Sequence, residues 1–166
     1  MRLKDERARQ LAPTYPLHYR QRVLFSDVDA LRHLNNGAIT RYFEEGRAQA
    51  HQMIFHASNE LTPRAPMVIA LVLVRLVVEF LREGRYPGEV EIRSGISSIG
   101  TSSIVHAHGA FQDGACLAVA EAVMVKSVDG RPVPLSDQER SASEHLMIRH
   151  TRTGEVDLRL GEPGQT

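Results

Sequence analysis

The spacing of apolar residues changes near residue 37, and the change separates a strand from a helix. In residues 17–25 the apolar side chains keep a period of two that is interrupted at Gln21, which predicts a first strand. From residue 37 to residue 56 the apolar residues recur at steps of three and four, which predicts one long amphipathic helix. Asn35 and Asn36 supply N-cap chemistry before it. The apolar stripe of this helix consists of Ile39, Phe43, Gly46, Ala50 and Met53 or Ile54.

The rest of the chain is dominated by strand patterns. Residues 67–81 are rich in Val, Ile and Leu without helical periodicity, which predicts a long strand buried on both faces. Residues 89–93 alternate cleanly, and a bulge is expected near Ser97. Two further strands are predicted at residues 103–112 and 115–128, joined by the hairpin signal Asp113-Gly114.

The order of elements predicts an α+β fold, with a strand, a long helix and then four strands in an antiparallel meander. A single helix covers only part of such a sheet, so we expect homo-oligomerisation to bury the remaining apolar surface. The expected division of the chain is an N-terminal extension at residues 1–14, one domain at residues 15–137, and a partly flexible C-terminal extension at residues 138–166.

Composition narrows the class of protein. Twenty basic and twenty acidic residues give a formal net charge of +0, which argues against a nucleic-acid-binding protein. No stretch is long and apolar enough for a membrane helix, and no signal-peptide pattern begins the chain. With one cysteine, no internal disulfide can form, so we expect a cytoplasmic protein.

The segment between the first strand and the helix concentrates polar residues. It contains Asp27, Asp29, His33, Asn35 and Asn36 within ten positions. A helix N-terminus carries partial positive charge and unpaired N–H groups, so it can polarise a carbonyl and stabilise an oxyanion. A nearby carboxylate can attack that carbonyl or activate water. The arrangement therefore indicates an acyl-transfer site.

Each of these residues also has a structural interpretation. An Asp-x-Asp pair often serves a turn, and Asn residues before a helix often serve only as caps. Glu44 and Arg47, three residues apart on a flanking helix face, predict a surface ion pair. His106 and His108 share one strand face, but no third ligand has suitable spacing, so no metal site is predicted. Cys116 lies in an apolar strand and is expected to be an unreactive thiol.

Taken together, three motifs resemble 4-hydroxybenzoyl-CoA thioesterase-like hotdog proteins. The first is the segment at residues 25–36 followed by Tyr-Phe-Glu-Glu-Gly-Arg at residues 42–47. The second is Ser-Ile-Gly-Thr-Ser-Ser at residues 98–103, and the third is Asp113-Gly114 with Ala-Val-Ala-Glu at residues 118–121. This resemblance covers about residues 17–137.

The resemblance implies a hotdog fold, a long central helix wrapped by a curved antiparallel sheet of about five strands, assembled as a homodimer or homotetramer. It implies an acyl-CoA thioesterase, without a cofactor, in which coenzyme A enters only as part of the substrate. Asp29 would be the catalytic carboxylate, and Glu44 or Glu45 the second choice. The remaining site residues implied are His33, Asn36 and Gly37 in catalysis and, for substrate binding, Asn35, Gly100, Thr101, Ser102 and Ser103.

Arg32 stands where many relatives have glycine, so we expect either a loop geometry that differs from theirs or an Arg32 side chain that reaches for a charge on the substrate. Two other functions stay open on the sequence. One is a non-catalytic module that binds acyl-CoA or acyl carrier protein. The other is hydration or dehydration of an enoyl thioester, for which no suitable carboxylate–histidine motif is present.

Overall fold

The computed structural model describes residues 2–56 and 69–149. Its main elements are a six-stranded antiparallel sheet and two helices. The helices are α1 (Asn36–His56) and α2 (Asp137–Glu144). The strands are β1 (Leu17–Arg22), β2 (Ile69–Phe80), β3 (Glu89–Ile99), β4 (Ser103–Gln112), β5 (Ala115–Val128) and the short β6 (Arg131–Pro132).

Helix α1 forms where the period of 3.6 predicts it and packs on the sheet along its apolar stripe. Ile39, Phe43, Ala50 and Ile54 are buried, whereas Met53 at the edge of the stripe is exposed. Gly46 permits the close approach of helix and sheet, because a Cβ there would lie 2.5 Å from Ser94 Oγ of β3. The predicted helix and its inward face are confirmed.

The strand order is β1-β3-β4-β5-β2, with β6 beside β5. Strands β3, β4 and β5 form the predicted meander, but β2 pairs with β5 and not with β3. The prediction of a four-strand meander is therefore wrong for β2, which lies at an edge of the sheet. The long helix against this curved antiparallel sheet is the hotdog architecture.

Strand β2 is not buried on both faces in the single chain, so that prediction is also wrong. Within the described part of the chain its ladder joins it to β5 alone, and Val72, Leu73, Val74 and Phe80 are each more than 40% exposed. The high Val, Ile and Leu content that suggested a central strand therefore belongs to an apolar edge.

The turns follow their local chemistry. Asp113 and Gly114 both have positive φ, 50° and 78°, as the two-residue hairpin turn between β4 and β5 requires. Between β3 and β4 the register shifts from Ile96 to Ser98, so the expected bulge near Ser97 is confirmed.

Both chain extensions pack against the domain where they are described. Residues 3–14 form three short 3-10 turns whose buried Leu3 and Arg9 lie on the outer side of the sheet, and Arg9 Nη2 lies 3.0 Å from Glu121 Oε2. Helix α2 is held to the sheet by Glu139, whose carboxylate lies 2.7 Å from Lys126 Nζ. Residues 150–166 of the expected C-terminal extension lie outside the described residues.

Neither α1 nor α2 combines the length and the apolar character that crossing a membrane requires.

Candidate active site

The loop before α1 is organised around Asp27. Its side chain is only 4% exposed and accepts hydrogen bonds from Tyr42 Oη at 2.6 Å, Arg41 Nη2 at 2.6 Å and the Leu24 N–H at 3.1 Å. Burial by itself would raise the pKa of this carboxyl, but these hydrogen bonds and the charge of Arg41 outweigh it and lower the pKa. Asp27 thus fixes the loop to the helix, and these three donors occupy three of its roughly four acceptor positions.

Asp29 folds the other half of the loop. Its Oδ1 accepts hydrogen bonds from the N–H groups of Leu31 at 2.9 Å and His33 at 3.0 Å, and its own N–H donates to the His33 carbonyl. Two backbone donors on one oxygen fix the carboxylate orientation, and its Oδ2 has no hydrogen-bond partner among the described residues. One face of the carboxylate therefore holds the turn while the other stays available.

Asn35, Asn36 and Gly37, at the start of α1, differ in their hydrogen bonding. Asn35 is the N-cap, because its Oδ1 accepts the Gly37 N–H at 2.7 Å. The Gly37 amide is thereby occupied, so the arrangement does not support it as an oxyanion donor. In the described part of the chain the Asn36 N–H has no acceptor. Asn36 is thus the amide at this helix end that can donate to a ligand.

Arg32 occupies a left-handed conformation with φ 63°. Its N–H donates to the Asp29 carbonyl at 3.0 Å, and its side chain is exposed. The loop therefore makes the turn that glycine would make easily, with the conformational cost of a non-glycine residue. The backbone at Arg32 therefore has the conformation that glycine favours, so this position does not show the expected difference in loop geometry, and a contact of its side chain with substrate stays a prediction.

A pocket of about 410 Å³ lies at the helix N-terminus. Its first wall comes from the loop and helix start: Asp29, His33, Leu34, Asn35, Asn36 and Ile39. Its second wall, which sequence reasoning missed, is the end of β2 and the segment after it: Phe80, Leu81, Arg82 and Glu83. Residues His33 and Glu83 join the walls, with His33 Nε2 3.2 Å from Glu83 Oε2. No sequence motif marks the residues of the second wall as part of a site. They come close to the loop only because of the order in which the strands pair in the sheet.

The other predicted site residues lie elsewhere. Glu44 and Glu45 are exposed and do not line this pocket. The turn at residues 100–103 lies at the opposite end of the sheet, because Ser103 is level with Val72 while the pocket is at Phe80. Eight strand residues separate these levels, or roughly 25 Å. Within one chain the turn and the pocket are therefore apart.

A buried polar layer lies between α1 and β4 and was not predicted. We call it the arginine–histidine layer: Arg47, His51, His106 and His108. Its Arg47 is 5% exposed, so the prediction of a surface ion pair with Glu44 is wrong. The rings of His106 and His108 are fully buried and parallel, with centroids 6.0 Å apart.

The surroundings of the three histidines in this layer favour their neutral form. Burial, followed by the charge of Arg47, lowers the pKa of His51 to about 4 and that of His108 to about 3. Burial and the neighbouring His51 hold the pKa of His106 well below its usual value. Within residues 2–56 and 69–149, no three His, Cys, Asp or Glu side chains are placed to hold a metal ion.

Cys116 is buried, and its Sγ donates to the Ala118 carbonyl at 3.6 Å. Burial raises the pKa of this thiol to about 11, which disfavours the reactive thiolate. The predicted burial of this thiol is confirmed, and its raised pKa agrees with the expected low reactivity.

The thioesterase-like superfamily matches residues 23–142 of the chain. This span includes the whole pocket and the arginine–histidine layer. The chain belongs to the thioesterase-like superfamily, and its class of activity is thioester hydrolysis. No curated protein gives a significant match in sequence.

Solved structures support the same fold. A Thermus thermophilus thioesterase complexed with coenzyme A and zinc is 28% identical, with a TM-score of 0.68 over 80% of this chain and 94% of that one. A Pseudomonas aeruginosa protein has a TM-score of 0.73 at 17% identity, covering 86% and 99% of the two chains. The 1,4-dihydroxy-2-naphthoyl-CoA thioesterase from Synechocystis has a TM-score of 0.64 at 16% identity, covering 75% and 93%.

Proposed function

We propose that the chain hydrolyses acyl-CoA thioesters to a carboxylic acid and coenzyme A, with Asp29 as the catalytic carboxylate. The observation that carries the proposal is that Asp29 and Asn36 line one pocket. The thioester carbonyl accepts the Asn36 N–H, and the Asp29 Oδ2 attacks the carbonyl carbon or removes a proton from the attacking water. The thiolate of coenzyme A leaves, and water supplies the oxygen of the acid.

The rate effects expected from these two groups are large enough for hydrolysis of a thioester. One aimed oxyanion donor contributes about 3–4 kcal/mol to transition-state stabilisation. A positioned general base contributes roughly 10²–10⁴-fold in rate. Asn36 can supply the first, and the fixed carboxylate of Asp29 can supply the second. The backbone N–H of His33 donates to Asp29, and the His33 side chain contacts Glu83 in the second wall. His33 therefore acts as a positioning residue.

The apolar edge at β2 supports a homodimer or homotetramer. If two β2 strands pair antiparallel, the Val72 end of one chain meets the Phe80 end of its partner. The partner's turn at residues 100–103 then lies beside the pocket, which accounts for the separation within one chain. Gly100, Thr101, Ser102 and Ser103 would contact coenzyme A from the partner. The second candidate, a module that binds acyl-CoA or acyl carrier protein without turnover, would use the same pocket.

The test is steady-state turnover of short, long and aromatic acyl-CoA esters, with released thiol measured by a thiol reagent. We expect Asp29→Asn to lower kcat by at least 100-fold, since the variant keeps the turn but loses the base. The matched control is Asp113→Asn, an exposed hairpin residue whose positive φ asparagine tolerates. Undiminished turnover in both Asp29→Asn and Asp29→Ala would refute the role of Asp29. Calorimetric binding of the esters without thiol release would instead favour the binding module.

A further inference from the structure

The arginine–histidine layer contains buried nitrogen atoms without hydrogen-bond partners. Arg47 Nη1, His106 Nδ1 and His108 Nε2 are all buried, and none has a partner among the described residues. Buried polar atoms are nearly always hydrogen-bonded, since leaving one unpaired is costly. Three in one layer therefore require an explanation.

The contacts that the layer does make are compatible with three free donors. His51 Nε2 lies 3.0 Å from His106 Nε2, and Ser94 Oγ lies 2.8 Å from His108 Nδ1. When His51 and Ser94 donate in these contacts, His106 carries its proton on Nδ1 and His108 on Nε2. Arg47 can only donate. In that state the layer offers donors and lacks an acceptor.

The layer also lacks negative charge. Arg47 is a guanidinium with 5% exposure, and no carboxylate of the described residues forms an ion pair with it. Glu44 affects it only through its charge and is itself exposed. Buried charges are normally paired, so an anion is the missing component.

The layer lies on the same row of α1 as the pocket. Ile39 lines the pocket, and Phe43, Arg47 and His51 follow it at steps of four, along a ridge that winds slowly around the helix. With a rise of about 1.5 Å per residue, Arg47 is roughly 12 Å along the helix from Ile39. Phe43, the residue between them, stacks on His108 with ring centroids 5.5 Å apart. Along this row the fully buried ring of Phe43 separates the pocket from the layer, so a bound acyl chain reaches the layer only when that ring moves aside.

We propose that the arginine–histidine layer is the far end of the acyl site, and that the preferred substrate is the thioester of a dicarboxylic acid. The carboxylate at the free end of the acyl group accepts hydrogen bonds from Arg47 and the histidines while the thioester lies at Asp29. This inference rests on the proposed function and adds the class of acyl group.

The first experiment compares kcat/KM for matched pairs of coenzyme A esters, hexanoyl with adipoyl and octanoyl with suberoyl. A hydrogen-bonded charge pair predicts a preference of roughly 10- to 100-fold for the carboxylated ester in at least one pair. Arg47→Met should bring the ratio close to one. The control Arg93→Met, which removes a positive charge from the opposite face of β3, should keep the ratio. Equal turnover of both esters in every pair, or a preference that survives Arg47→Met, would overturn the inference.

The second experiment does not depend on turnover. Free adipate and suberate should raise the Tm of the wild-type protein more than hexanoate and octanoate do, and Arg47→Met should abolish the difference. Because a buried unpaired charge is removed, Arg47→Met alone should be at least as stable as wild type. An unstable Arg47→Met together with no effect of dicarboxylates on wild type would make the layer purely structural. If no ester is hydrolysed but dicarboxylates still stabilise the protein, the proposed function fails and the anion site stands.

Discussion

Acid should destabilise this protein well above the pH at which its carboxylates protonate. The groups responsible are His51 and His108, whose pKa values fall from 6.5 to about 4 and about 3 in the folded chain. The unfolded chain binds protons at these rings below pH 6.5 and the folded chain does not. The stability that the neutral rings contribute is therefore complete above that pH and is lost as the pH falls towards 4.

The magnitude follows from the two pKa values. Below pH 6.5 each of the two rings lowers the free energy of unfolding by about 1.4 kcal/mol for every pH unit of acidification. At pH 5 the loss is about 2 kcal/mol per ring, or about 4 kcal/mol for the two, against a typical total of 5–15 kcal/mol. Asp27, whose pKa is lowered from 3.8, adds to acid sensitivity only below this range.

The assay is urea denaturation at pH 7.5, 6 and 5, with the free energy of unfolding plotted against pH. His51→Gln should reduce the slope between pH 6 and 5 by about one proton, or about 1.4 kcal/mol per pH unit. His18→Gln, at an exposed position of β1, is the matched control and should leave the slope unchanged. A wild-type free energy of unfolding that is constant between pH 7.5 and 5 would contradict the reasoning, as would equal slopes in His51→Gln and wild type.

Three further outcomes are expected. If the chain assembles through β2 as proposed, Val72→Glu should give monomers in light scattering and abolish turnover, whereas the same change at exposed Leu11 should do neither. Lys126→Met removes one partner of the buried pair with Glu139 and should cost about 3–5 kcal/mol in denaturant unfolding; a loss below 1 kcal/mol would argue against the pair. Asn35→Ala should cost about 1 kcal/mol through the lost cap, with Asn35→Asp restoring it, and equal stability of the two variants would speak against the cap.

Local chemistry made most elements predictable. The boundaries of β4 and β5 follow from alternation and from Asp113-Gly114, and α1 begins one residue before the predicted start because Asn35 caps it. The loop residues of the site were predictable for the same reason, since a carboxylate and a helix start lie close in sequence.

Long-range placement was not predictable. Nothing local distinguishes an apolar edge strand from an apolar central strand, so the position of β2 and the pocket wall at Phe80–Glu83 required the structure. Arg47 illustrates the same limit: its spacing from Glu44 matches a surface pair, but the face of α1 that turns towards His106 and His108 depends on how the helix rotates over β3 and β4.

The two edges of the sheet differ in a way that limits assembly. β2 offers twelve residues and an apolar surface, whereas β1 has six residues, of which His18, Arg20 and Arg22 are exposed. A short edge rich in cationic side chains resists the addition of another strand. The proposed pairing through β2 would therefore be self-complementary and would use the permissive edge of both partners at once. The edge left at each end of such a dimer would be β1, so the proposed pairing would give a closed dimer with a shared site and not an open-ended fibre.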